Sequence, residues 1–168
     1  KYLLGVISFS QDFPELHKIW KYIAEVFDNV DSDEQEKGIL HVDVSSFSYR
    51  KGYPSGSPEH GGGFVFDCRA LPNPGREDEF KSRTGKDKDV ADWLRQKEEV
   101  SFFLDNCSEL VKLSVDNYLD RNFTHLSVAF GCTGGQHRSV YCAEQMAAML
   151  QEKYGENIEL KLYHREFP

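Results

Sequence analysis

Residues 130–140 read FGCTGGQHRSV. An apolar run, LSVAF at 126–130, precedes this stretch, and a helix-like run, VYCAEQMAAMLQEKYG at 140–155, follows it. After Gly155, NIELKLYHREF at 157–167 reads as another strand. A strand that enters a helix and returns to a strand is a βαβ crossover, and its two strands must run parallel. This unit places the chain in the α/β class.

The remaining elements fit around it. ILHVDVSSFSY (39–49), FVFDCRAL (64–71) and THLSVAFG (124–131) read as strands, and 90–118 carries helical spacing. RKGYPSGSPEHGGG (50–63) is a Gly/Pro/Ser loop, and PNPG (72–75) stops the second strand. REDEFKSRTGKDKD (76–89) is charged and poor in apolar residues, so it reads as a long loop, a class that is often functional. FPELHKIWKYIAEVFDNVD (13–31) predicts an N-terminal helix followed by a polar connection. The expectation is a small mixed sheet of about four strands with flanking helices, residues 1–38 forming a helix and linker and 39–168 the domain. Trp93, Phe102, Phe103, Leu110 and Leu113 are the expected helical core stripe.

At 168 residues the chain can bury a core without disulfides. Its four cysteines show no CxxC spacing, which predicts reduced thiols and no metal site. The start, KYLLGVISFSQDFPE, is unlike a signal peptide, and no window approaches the roughly 18 apolar residues of a membrane span. A cytoplasmic protein is expected, and the missing initiator Met suits a fragment of something longer. The net charge of −8 disfavours a general nucleic-acid binder, which needs cationic surface. RNA would require a local basic patch. A small anion suits the chain better.

FGCTGGQHRSV supplies the chemistry for one. A helix start offers unpaired N–H groups and the positive end of a dipole. Gly134 and Gly135 let those groups close on an anion without Cβ obstruction. Thr133 and Ser139 add hydroxyls, Arg138 a guanidinium fork suited to phosphate, and His137 a proton-dependent donor. Cys132 lies six residues before Arg138 and Ser139 follows it, which resembles the phosphate loop of cysteine-dependent phosphatases. There a thiolate attacks phosphorus while arginine holds the oxygens. Gly131 replaces the histidine those enzymes place before the cysteine, and no acid loop is evident. Cys132 and Arg138 are the catalytic pair of that alternative; a plain strand-end thiol is the other reading.

FDCRALPNP (66–74), TG (84–85), GCTGGQHRSV (131–140) and HRE (164–166), together with SFSYRKG (46–52), resemble the C-terminal domain of the RapZ family, also called the YvcJ or RNase adapter family. The resemblance runs over roughly residues 40–167. It implies an α/β domain similar to a sugar-phosphate-binding subdomain of phosphofructokinase, attached in full-length members to a nucleotide-binding domain. It also implies sensing of glucosamine-6-phosphate, RNA binding in the enterobacterial protein, and assembly as a homo-oligomer. Carried over by motif, the sensor residues are Asp67, Thr133, Gly134, His137 and Arg138. The sequence departs from the family in three ways. It lacks a Walker A loop, it has Gly75 where a His or aromatic residue is usual, and it ends at HREFP instead of a basic tail.

Single residues carry two readings each. Asp67 could accept from sugar hydroxyls or an ammonium, or pair with Arg69 or Arg138. Arg69 could hold phosphate or brace the PNP loop. Asn73, between prolines, could donate to a ligand or close an Asx turn. His164 and Arg165 could complete an anion pocket or lie on an edge strand. RTGKDKD (83–89) reads as a solvated loop before a lid. The expected function is a non-catalytic phosphometabolite-binding domain with no cofactor, acting on a fused or partner domain. A cysteine-dependent phosphatase and an RNA adapter are the alternatives.

Overall fold

A computed structural model describes residues 18, 19, 21–23, 38–55 and 63–167. Contacts divide the chain into two units, Lys1–Lys37 and Gly38–Pro168. In the first, residues 18, 19 and 21–23 are helical; the rest of the helix expected over 13–31 lies outside the described residues.

The second unit is built on one sheet of four strands: β1 (Leu40–Ser48), β2 (Gly63–Asp67), β3 (His125–Cys132) and β4 (Ile158–His164), in the order β2–β3–β1–β4. Each pairing is parallel, with Val42 opposite both Leu126 and Leu160, and Phe64 opposite Val128. The four-stranded α/β sheet expected from the sequence is present, but parallel pairing replaces the expected mixed set. Parallel neighbours need crossovers, and helices supply them. Between β2 and β3 run α1 (Lys88–Arg95) and α2 (Glu98–Asp120); between β3 and β4 runs α3 (Arg138–Tyr154). Helix α3 packs on β1, β3 and β4, and α2 packs on α3.

The core lies between the sheet and these helices. Val42, Val44, Val128, Phe130, Met146 and Leu150 are fully buried, and each such side chain contributes roughly 1.5–3 kcal/mol of transfer free energy. On the N-terminal half of the sheet, alternation turns polar residues to the other face. There His41 Nδ1 lies 3.2 Å from Glu159 Oε2, its partner in register. The alternation then stops: Val44–Ser48 of β1 and Val128–Cys132 of β3 are buried at every position. Both faces are covered at the carboxyl ends of the two central strands, where open α/β sheets bind ligands.

The expected core stripe is half right. Trp93 and Phe103 pack against the core, Phe103 with its ring 6.3 Å from that of Phe66. Phe102, Leu110 and Leu113 are instead 73%, 51% and 69% exposed. Helix α2 turns a different stripe inward, Val100, Leu104, Cys107, Val111 and Val115, at helical spacing. The three exposed residues fall on the opposite side. Burial pushes the Cys107 thiol up to about 12, and burial together with Cys142 raises that of Cys68. All four cysteines are free and buried.

Candidate functional site

Strand β3 ends at Cys132 and α3 begins at Arg138, so five residues make the turn. The helix start carries no side-chain cap. Its first N–H groups therefore keep their capacity for an outside acceptor. The two adjacent glycines differ in what surrounds them. Gly135 has φ +68°, and a Cβ there would lie 2.5 Å from Glu166 Cγ and 3.0 Å from Ser48 N. A Cβ on Gly134 would meet nothing within 4 Å. The end of β1 fixes the turn from below, because Ser48 Oγ donates to the Thr133 carbonyl at 2.8 Å.

A cavity of about 290 Å³ opens at this helix start. Of the residues expected from the sequence, Asn73, Thr133, Gly134, His137 and Arg138 line it. Arg50, Gly75, Lys81, Cys132 and Gln136 complete the lining. Arg50, Lys81 and Arg138 bring positive charge, and among the described residues no carboxylate lines the cavity. A chain of net charge −8 thus inverts its sign at this place.

Arg138 is only 7% exposed. Its Nη1 donates to the carbonyls of Arg69 (2.8 Å) and Leu71 (3.1 Å), which fixes the guanidinium against the loop after β2. Its Nε is buried with no partner. His137 Nε2 lies 2.8 Å from the Phe80 carbonyl. A carbonyl only accepts, so Nε2 carries the hydrogen and Nδ1 is the free nitrogen. The imidazole edge with Nδ1 and Cε1 faces Gly75, where a Cβ would come within 3.3–3.4 Å of it.

The charged segment after Arg76 is a fixed wall of the site. Gln136 Nε2 donates to the carbonyls of Lys81 (3.0 Å) and Arg83 (2.6 Å), and Gly85 N donates back to the Gln136 carbonyl (3.0 Å). A Cβ on Gly85 would lie 2.2 Å from the His137 carbonyl oxygen, so only glycine lets the two backbones meet. Thr84 N–H and Oγ1 both donate to Asp87, which closes the turn and holds the Asp87 carboxyl below its usual range. The expected solvated loop over 83–89 is pinned at Thr84 and Gly85, and this brings Lys81 to the cavity.

Other expected site residues stand beside the cavity or apart from it. Asp67 takes a double hydrogen bond from Arg69 Nε and Nη2 (2.9 and 2.6 Å), which holds its carboxyl below the usual range. The Arg69 guanidinium also lies 4.1 Å over the Tyr49 ring. Of the two readings of Asp67, the geometry shows the pair with Arg69; Asp67 does not line the cavity. Asn73 does close an Asx turn, accepting from Gly75 N at 3.2 Å, and its side chain also reaches the cavity wall. Ser139 is fully buried and its Oγ lies 3.1 Å from Cys132 Sγ. Gly135 supports the turn from behind.

His164 is the expected residue that the fold removes from the site. Its Nδ1 bonds Ser46 Oγ at 2.9 Å and its Nε2 bonds Glu144 Oε1 at 3.0 Å. Both nitrogens are used, and it ties β1, β4 and α3 together. Arg165 Nη2 donates to the carbonyls of Lys51 and Gly52. Glu166 accepts from Ser48 N–H at 3.2 Å and pairs with Lys51. The HRE segment braces the strand end that carries Arg50, and it does not line the cavity.

Sequence reasoning missed Arg50, Lys81 and Gln136 as lining residues. Arg50 had a signal, since it lies two residues past the carboxyl end of β1. Lys81 had none; it sits in a charged run and is held at the cavity by Gln136 on its own carbonyl and His137 on that of Phe80.

The family model described as the RapZ C-terminal domain matches residues 40–168. The chain belongs to this family. It is 36% identical over 151 residues to a nucleotide-binding protein of Xylella fastidiosa strain M23, covering 90% of this chain and 48% of that protein. A nucleotide-binding protein of Acidobacterium capsulatum is 37% identical over 153 residues, 91% of this chain and 46% of that one. One from Dinoroseobacter shibae is 42% identical over 111 residues, 66% of this chain and 35% of its own length. The chain spans about half the length of the first two relatives. The match to the RapZ C-terminal domain includes every residue of the cavity lining. Among the described residues no helix is long and apolar enough to cross a membrane.

Proposed function

We propose that this domain is a non-catalytic binding module for a phosphorylated small molecule. An amino-sugar phosphate such as glucosamine-6-phosphate is the ligand that family membership favours. The observation that carries the reading is Arg138, which lines the cavity at the uncapped start of α3 with its guanidinium fixed through Nη1 by two backbone carbonyls. A permanently charged, planar group held rigidly at a cavity wall is a preorganised donor for phosphate oxygens. Arg50 and Lys81 add the charge that draws a dianion out of water.

Three features of the same site weigh against phosphatase chemistry. Cys132 is 3% exposed. Gly131 has no room for the histidine of that pattern, since a Cβ would lie 2.4 Å from Phe47 Cζ. Among the described residues no carboxylate lines the cavity to protonate a leaving group. Binding would then be read out by a fused or partner domain, as the greater length of the relatives suggests. Free, buried thiols suit a cytoplasmic setting.

The test is a thermal-shift series with phosphate, glucose-6-phosphate and glucosamine-6-phosphate, followed by p-nitrophenyl phosphate turnover. A ligand at one hundred times its Kd adds about 2.7 kcal/mol of stability. Stabilisation by a sugar phosphate, retained in Cys132→Ser, and no turnover are expected. Absence of any shift sinks the binding reading, and turnover that Cys132→Ser abolishes replaces it with catalysis. A gel shift that persists at physiological salt would point instead to RNA.

A further inference from the structure

The cavity at the helix start is not isolated. It adjoins a second one, of about 510 Å³, across a common wall of Asn73, Thr133 and Arg138. The chemistry of the second is different. Two of its three arginines have protein partners, Arg69 in its pair with Asp67 and Arg138 through Nη1 with the carbonyls of Arg69 and Leu71. The third, Arg76, lines the cavity together with Glu99, which among the described residues is the one carboxylate in the lining of either cavity.

Glu99 stands exposed in the first turn of α2. No cation among the described residues lies within 4 Å of its carboxylate. That carboxylate disfavours a second anion and leaves an acceptor for donor groups. Arg76, in the same lining, offers donors for hydroxyl or ring oxygens. Asn73 Oδ1 is used by Gly75 N, so the amide NH2 of Asn73 remains for the ligand between the two cavities.

We infer that the second cavity receives the non-phosphate end of the ligand, and that Glu99 sets specificity by accepting hydrogen bonds from its hydroxyl or ammonium donors. This rests on the phosphate-binding reading and adds a residue to it. Glu99 discriminates among phosphorylated molecules, whereas the loop at 133–138 recognises the phosphate that they share.

The experiment is titration calorimetry of the whole chain with inorganic phosphate, glucose-6-phosphate and glucosamine-6-phosphate. Wild type is compared with Glu99→Ala and Glu99→Gln. Glu99→Ala should weaken the preferred sugar phosphate about tenfold, the loss of one charge-assisted hydrogen bond. Inorganic phosphate should stay within about twofold, because an exposed charge beyond contact range is well screened. Glu99→Gln separates the donors: a selective loss of glucosamine-6-phosphate identifies an ammonium at Glu99, and an equal loss of both sugar phosphates identifies a hydroxyl. Equal effects on all three ligands, or none on any, overturn the assignment. If wild type binds no phosphate compound, the reading beneath it fails first. Melting of each variant without ligand shows whether the first turn of α2 survives the substitution.

Discussion

Glu166 fills the space beneath Gly135. Its Cγ would lie 2.5 Å from a Cβ at Gly135, while its carboxylate takes the N–H of Ser48, and Ser48 Oγ holds the Thr133 carbonyl. The last residues of the domain thus set the height of the turn that starts α3. Gly135 also has φ +68°, which L side chains rarely adopt. Gly135→Ala should therefore cost about 2 kcal/mol or more in chemical denaturation, from left-handed backbone strain plus the contact with Glu166.

Gly134, one residue earlier, gives the opposite outcome. Its Cβ position is open and it lies on the cavity wall. Gly134→Val should leave the denaturation midpoint near wild type and weaken phosphate binding at least about tenfold, by placing a side chain at the mouth of the cavity. Equal stability losses at both glycines would show that the division of labour drawn here is wrong.

Glu166 also predicts a pH dependence. Burial alone would raise its carboxyl pKa, but the Lys51 ammonium and the Ser48 N–H outweigh this and hold it below the usual range. A depressed folded-state pKa stabilises the fold above the unfolded value, about 4.3 for Glu. That stabilisation is lost as pH falls through the lower folded value. Wild type should exceed Glu166→Gln in stability at pH 7, and the two should converge as the pH drops below about 4. Urea midpoints at a series of pH values measure this, and a gap constant down to acid would rule out the carboxylate as its origin.

Gly85 reports on the pinned wall. A Cβ there would press 2.2 Å from the His137 carbonyl oxygen and 2.5 Å from Tyr141 N. Gly85→Ala should break the Gly85–Gln136 bond, release the segment that carries Lys81, and destabilise the domain by about 1–3 kcal/mol. Hydrogen exchange at 80–87 should rise in the variant. Unchanged protection would mean that the segment is held by something other than Gln136.

Arg138 joins two roles, so Arg138→Lys separates charge from geometry. Lysine keeps the positive charge but cannot bridge the Arg69 and Leu71 carbonyls with one planar group. Stability should fall by about 2 kcal/mol, and the thermal shift with glucosamine-6-phosphate should be lost or much reduced. A lysine variant with wild-type stability would remove Arg138 from its bracket between the two loops.

The local sequence carried much of this. A strand, a Gly-Gly turn, Arg138 and a long helix in succession dictate a crossover, a parallel pair and an uncapped helix start, because each follows from neighbours in the chain. Asn73 likewise shows its Asx turn in the string PNP. The misread residues depend on distant partners. His164 looks like an anion ligand in the string HRE until Ser46 and Glu144 take both its nitrogens. Phe102, Leu110 and Leu113 look like core until α2 turns the stripe of Val111 inward. Lys81 looks like one charge among many until Gln136, 55 residues away, holds its backbone at the cavity.

What the sequence determined alone was the backbone chemistry of the turn between β3 and α3, since glycine freedom, helix polarity and the order of elements are local properties. The tertiary structure alone decided which side chains surround that turn and which are used up elsewhere. Burial and hydrogen-bond partners arise between segments far apart in the chain, and the geometry that brings Arg50 and Lys81 to one cavity and Glu99 to its neighbour exists only after β1, α2 and the segment after Arg76 have packed.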